Sequence, residues 1–161
     1  ADIMYEELSK FLLAVSNSDL SDKTRMRVGI KLRIVSELEN ITDECLSLAL
    51  LLKKKSSKGL VFESESFLGL KPLSDHVEEF LAFVADRLHR GITEIELSMA
   101  SEMENEIDED KRRLKKLARQ RLKEGADVRA ELLYIDFVRH MEKIGDYAYA
   151  IAGELRNFPS R

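Results

Sequence analysis

The sequence predicts an all-α protein, an up-and-down bundle of four to five long helices. Composition is the first reason: charged residues make up 35% and apolar residues 44%, while seven Gly and two Pro leave little for strands and tight turns. Patterning is the second, since apolar residues recur at alternating three- and four-residue steps through most of the chain. The third is punctuation, which falls at a few places only. A chain of 161 residues suits a single domain, residues 1–161, with a real core.

The first helix is expected over residues 2–16, with Met4, Leu8, Phe11, Leu12 and Val15 on one side. Asn17, Ser18, Asp19 and Ser21 break it, and Ser21 or Asp22 can cap the next helix through a side-chain oxygen. That second helix runs to about residue 55 on a main seam of Met26, Ile30, Ile34, Leu38, Ile41, Cys45, Leu48 and Leu52. Residues 56–73, with two Gly, Pro72 and several Ser, read as a linker. Its Leu60, Val61, Phe62, Phe67 and Leu68 should pack on the bundle. A third helix is expected from Ser74 to about Arg90, a fourth over 92–124, and a fifth over 127–157, stopping before Pro159. Gly125 suits the position that ends the fourth.

Several function classes are disfavoured. A net charge of −4 argues against nucleic-acid binding driven by overall charge. One cysteine, Cys45, rules out an intramolecular disulfide, points to a reducing compartment and should be buried on its seam. Purely apolar runs such as residues 48–52 are too short for a membrane span, and no secretory leader is read. No phosphate loop, nucleophile motif or Glu-x-x-His pair is present, so an enzyme is not expected. His76, His89 and His140 lack zinc-type spacing and read as surface or half-buried residues, and Met99, Met103 and Met141 as packing. The fourth helix carries acids in its first half and bases in its second. That pattern reads as a solvated, self-paired face or as a surface for a membrane protein or anionic headgroups.

The chain contains an internal repeat. Laying residues 34–43 over residues 137–146 matches Val35 with Val138, Glu39 with Glu142, Ile41 with Ile144 and Asp43 with Asp146. The shared element is E-x-I-x-D. Acids four apart share a helix face, and both pairs stand where an apolar stripe should continue: Val28, Leu32 and Val35 precede Glu39 and Asp43, and Ile135 and Val138 precede Glu142 and Asp146. A carboxylate there is costly unless paired or metal-bound. Glu104 and Asp108 of the fourth helix form a third pair. Two bundle helices each offering such a pair make a carboxylate cage, so the acids are expected to grip a cation together. Oxygen ligation suits Mg, Mn, Ca or Fe and accommodates Zn. The competing reading is that the acids form salt bridges with Arg139, Lys143 or other neighbours.

The segment Met141-Glu-Lys-Ile-Gly-Asp146 resembles the signature L-E-R-I-G-D of PhoU-like proteins, and Leu38-Glu-Asn-Ile-Thr-Asp43 resembles the same motif in the other repeat. The nearest likeness is to the soluble C-terminal PhoU-like domain of bacterial sodium/phosphate cotransporters. The resemblance implies tandem three-helix repeats, here residues 1–55 as a truncated first repeat and 74–161 as the second. It implies a cytoplasmic regulatory domain at the inner face of the cell membrane, linked to sodium-dependent phosphate transport. Its partners would be the transporter's membrane domain or a phosphate-signalling protein, and a second copy would complete the truncated bundle as a homodimer. It also implies a divalent or trivalent metal, iron or zinc before manganese or magnesium, on Glu39, Asp43, Glu104, Asp108, Glu142 and Asp146. Thr42 replaces the motif's Gly and Asn40 its basic residue, so the second repeat's site is the better match. Gly145 itself, costing about 1 kcal/mol in a helix interior, is expected to let a neighbour approach closely.

Overall fold

One helix organises the molecule. The last, α5 (Val128–Arg156), packs against α2 (Asp22–Ser57), α3 (Ser64–Arg87) and α4 (Glu94–Lys123), whereas α1 (Asp2–Ser16) packs on α2 alone. The computed structural model describes residues 2–17, 20–62 and 64–158. Among these there are five helices and no strand, the all-α bundle expected from periodicity. Ser18 and Asp19, expected in the first break, lie outside the described residues.

The central place of α5 follows from its composition. Small or apolar residues occupy several of its faces, so Leu133, Tyr134, Val138, Ile144, Ala148, Ile151, Ala152 and Leu155 are all buried. α2 and α4 run antiparallel to it, whereas α3 runs parallel, with Gly69 beside Tyr134 at one end and Ile92, just past α3, bonded to Leu155 at the other. Arg33 of α2 meets Glu154 at 2.7 Å and Glu44 meets Lys143 at 3.0 Å, so α2 descends as α5 climbs. The core is completed by Ile30, Ile34 and Ile41 of α2, by Leu73, Val77 and Phe80 of α3, and by Ala100, Ile107, Leu114 and Ala118 of α4.

The helix ends follow their local chemistry. The Ser21 hydroxyl accepts from the Thr24 amide at the head of α2. Thr93 and Glu96 form a reciprocal capping box at the head of α4. At the foot of α4, Gly125 takes a φ of 97°, the left-handed turn that only glycine enters freely.

Two expectations need correction. The linker expected over 56–73 is mostly helix, because α2 continues to Ser57 and α3 begins at Ser64, with Pro72 inside it. Proline removes a helical hydrogen bond and crowds the carbonyl four residues back. Here Pro72 and Leu68 both sit on the exposed face, where water can take up that carbonyl, while Leu70 and Leu73 bury the opposite face. Phe62 packs as expected, its ring edge-on to Tyr134 at 5.5 Å, but Val61, Phe67 and Leu68 are exposed. The second correction concerns the main seam of α2. Ile30, Ile34 and Ile41 are buried, yet Met26, Leu38, Leu52 and Cys45 are exposed. Only α5 and the short α1 cover α2, and these residues fall outside both contacts.

Candidate metal centre

The acid pair of α5 faces α4. Gly145 lies between Glu142 and Asp146, and a Cβ added there would sit 2.9 Å from Ile107 Cδ1 and 3.2 Å from Cγ2. The missing side chain therefore lets α4 press against α5 at this level, the close approach anticipated for the glycine. That approach brings Glu104 and Asp108 beside Glu142 and Asp146, so four carboxylates share one seam. Glu142 is buried, Glu104 and Asp108 are half-buried, and Asp146 opens to the surface.

Lys111 is the cation inside this patch. Its ammonium donates to Asp108 Oδ1 at 3.0 Å and to Glu142 Oε1. Burial opposes its charge, but these two hydrogen bonds hold its pKa above the ordinary range. Arg112 adds a guanidinium 3.9 Å from Asp108 Oδ2, and the two cations still do not balance four carboxylates. Crowding of protein around the Asp146 carboxyl, and then the like charges of Glu142, Glu104 and Asp108, push it up to about 6 against the pull of Lys111. Partial burial and Asp108 likewise raise Glu104. Because a raised carboxyl holds its proton more tightly in the folded chain, this group favours folding below its ordinary pKa of 3.8. The advantage is lost as pH rises through about 6.

The acid pair of α2 faces a different partner. Ligand oxygens of Glu39, Asp43 and Asp2 of α1 all lie within 4.8 Å of one another, the one trio among the described residues to converge so closely. Glu39 is half-buried, and Asp2 and Asp43 are exposed.

The expectation of one cage gripping a cation between the α2 and α5 pairs is therefore corrected. The six acids gather in two places, Glu39 and Asp43 on the α1–α2 seam, and Glu104, Asp108, Glu142 and Asp146 on the α4–α5 seam. The α2–α5 contact is made by other residues. There the buried Glu44 accepts from His140 Nδ1 and, at 3.0 Å, from Lys143 Nζ. Burial works against the Glu44 charge, yet those two donors hold its pKa below the usual carboxylate range. Asp110, also buried, is held by His76 at 3.0 Å and Arg113 at 2.6 Å. Sequence reasoning missed Lys111, Asp2 and Glu44 as partners. Lys111 looked like part of a solvated charge block, although its i, i+3 spacing from Asp108 was a readable signal.

Both clusters offer oxygen donors only, with neither His nor Cys among them. Such donors suit a hard or borderline divalent cation. On the α4–α5 seam like charges crowd closely enough to raise Asp146, but only Asp2, Glu39 and Asp43, among the described residues, bring three ligand atoms within 4.8 Å of one another, so the α1–α2 trio is the better geometric match to a metal. Asp108, Glu142, Asp146 and Glu104 would hold it on one seam, and Asp2, Glu39 and Asp43 on the other. A bound ion would supply fixed positive charge that ties neighbouring helices together.

Comparison with known proteins bears on the same segment. The family model described as "PhoU domain" matches residues 70–155, which run from the first turns of α3 almost to the end of α5 and include the whole α4–α5 seam. No curated protein and no solved structure matches the chain. A match over more than half of the sequence, on a helical bundle of this form, means that the chain belongs to the PhoU domain family of phosphate-related regulatory helical domains.

Proposed function

We propose that this PhoU domain regulates sodium-dependent phosphate transport from the inner face of the cell membrane, as a bundle braced by divalent metal on its helix-borne carboxylates. The single observation that carries the metal part is the α4–α5 seam, where four carboxylates crowd around Lys111 with Arg112 at its edge, and where burial and like charge raise Asp146. Regulation would work by contact. The ion fixes the register of α4 against α5, and the braced bundle presents a set surface to the membrane domain of a sodium/phosphate cotransporter or to a phosphate-signalling protein. A second copy of the chain would cover apolar side chains that α1 and α2 leave exposed, among them Met4, Phe11, Leu46 and Leu50.

The test is thermal unfolding with and without manganese, zinc or iron. At a hundredfold excess over Kd, binding to the folded state alone adds about 2.7 kcal/mol, or roughly 5–10 °C in Tm for a chain of this size. Glu142→Gln with Asp146→Asn removes the part of that rise owed to the α4–α5 seam, and Glu39→Gln with Asp43→Asn the part owed to the other. Metal and protons compete for Asp146, so the rise grows as pH increases through about 6. A Tm indifferent to every divalent cation ends the metal reading.

One observation favours a second reading, an interaction bundle that needs no metal. Lys111 already supplies a cation to Glu142 and Asp108. Lys111→Met separates the two. If the lysine competes with metal, its loss lowers the Tm of the metal-free protein and tightens metal binding at least tenfold. If the lysine is the only cation the seam ever holds, Tm falls and no metal is taken up. Elemental analysis of the untagged protein distinguishes the two readings independently.

A further inference from the structure

The two ends of the bundle differ in chemistry. At one end lie the foot of α2, the start of α3, the foot of α4 and the start of α5. They are tied there by Lys55 over the Phe62 ring, by Phe62 against Tyr134 and by Arg121 paired with Glu131. The segments that build this end, residues 53–71 and 115–132, hold eleven Lys and Arg against five Asp and Glu, although the whole chain has 26 against 30. Base is thus in excess at this end. It is also in excess at the head of α2, where residues 23–33 hold Lys23, Arg25, Arg27, Lys31 and Arg33 and no acid, and the acids concentrate between, as in residues 102–110 of α4.

Large apolar side chains are exposed at the same end. Val61, in the α2–α3 turn, is 77% exposed, and Phe67 and Leu68, in the first turns of α3, are 64% and 69% exposed. Val128, the first residue of α5, joins them. Around them stand exposed Lys54, Lys58, Lys116, Lys123 and Arg129. The large groove of about 580 Å³, lined by Phe11, Leu12, Val28, Leu88 and Phe158, lies at the opposite end. What the basic end offers is a set of exposed apolar side chains on segments in which ammonium and guanidinium groups outnumber carboxylates. A protein partner is better served by a groove. A plane of anionic headgroups over hydrocarbon is complementary to this end, because lysines pair with the headgroups while short apolar side chains enter the boundary beneath them. The acidic stretch of α4, residues 102–110, is repelled by the same surface, which disfavours lying on that side.

We propose that this end of the bundle, with Val61, Phe67, Leu68 and Val128 among basic side chains, docks directly on an anionic lipid bilayer. The inference rests on the reading that the domain works at the inner face of the membrane. It gives that face a lipid partner independent of any transporter and of any bound metal.

Flotation of the full chain with protein-free vesicles tests it. Binding is expected to vesicles of phosphatidylcholine with about one-third phosphatidylglycerol, to be absent with phosphatidylcholine alone, and to weaken steeply as salt shortens the screening length. Lys58→Glu, Lys116→Glu and Lys123→Glu together should weaken partitioning at least tenfold, since each lysine near such a surface contributes roughly a factor of five. Phe67→Ser with Leu68→Ser should weaken it with the charges intact. All five side chains are exposed, and an unchanged far-UV spectrum and Tm verify the fold. Charge reversal in the acidic stretch of α4, Glu102→Lys with Glu106→Lys, should leave binding undiminished. Equal binding to neutral and anionic vesicles, or binding to neither, overturns the proposal. Capture only by vesicles that carry a phosphate transporter also overturns it, while supporting the regulatory reading. Failure of the metal test with anionic-vesicle binding intact has the reverse meaning.

Discussion

Glu131→Ala is expected to lower stability by about 3 kcal/mol, a fall of roughly 6–12 °C in Tm. Arg121 lies near the foot of α4 and Glu131 in the first turn of α5, on either side of the Gly125 turn. The guanidinium donates Nε and Nη2 to the two carboxylate oxygens, both at 2.8 Å, the parallel two-bond geometry that only Arg offers. The side chains are only 14% and 6% exposed, and the guanidinium stacks over the Tyr134 ring at 4.9 Å. A surface ion pair contributes up to about 1 kcal/mol, but this pair is out of solvent. Removing the carboxylate leaves a guanidinium desolvated and without its counter-charge, and that is the expensive part. It follows that Arg121→Met combined with Glu131→Leu should cost less than Glu131→Ala alone, because neither charge is then stranded. Chemical denaturation of the two variants and the wild type reads this directly. A loss below about 1 kcal/mol for Glu131→Ala would show that water reaches the guanidinium and that the pair does not pin the turn.

Helix number and order were legible because long stretches of 3.6-residue periodicity are hard to mistake. What misled was local grammar set against tertiary context. Pro72 reads as a stop, yet it is tolerated where the carbonyl it displaces faces water and where Leu70, Leu73 and Val77 reward continuing the helix. The seam of α2 was drawn too wide because the sequence offers apolar residues on several sides of one long helix. Only the positions of α1 and α5 decide that Ile30, Ile34 and Ile41 are inside and that Leu38, Cys45 and Leu52 are outside. The site divides the same way. Acids replacing an apolar stripe could be read from spacing, since four residues return a side chain to the same face. Which helix each pair confronts could not, because that depends on packing between distant segments. So the α2 pair meets Asp2 and the α5 pair meets Lys111, and neither was assigned.

The close approach at Gly145 links that packing to the site, and widening it should damage both. Gly145→Val is expected to cost about 3 kcal/mol and to remove the stabilisation by metal that depends on the α4–α5 seam. A Cβ alone would stand 2.9 Å from Ile107 Cδ1, the movable end of a side chain, but also 3.2 Å from Cγ2, which is fixed close to the α4 backbone. Ile107 is itself 1% exposed and has little room to turn. For alanine, the helix propensity gained, about 1 kcal/mol, offsets much of the crowding, so a small net loss is expected. Valine adds two more carbons and some rotamer cost in a helix. The helices must then part, and Glu104 and Asp108 move away from Glu142 and Asp146. Ile107→Ala in the same chain returns the lost volume, so the double variant should be more stable than the sum of the single changes predicts. Gly153→Ala is the control, for it lies in the same helix with nothing within 4 Å of the added carbon and should stabilise by roughly 0.5–1 kcal/mol. A Gly145→Val protein that melts with the wild type and answers metal equally would mean that α4 does not rest on α5 there. The four carboxylates would then owe nothing to that contact.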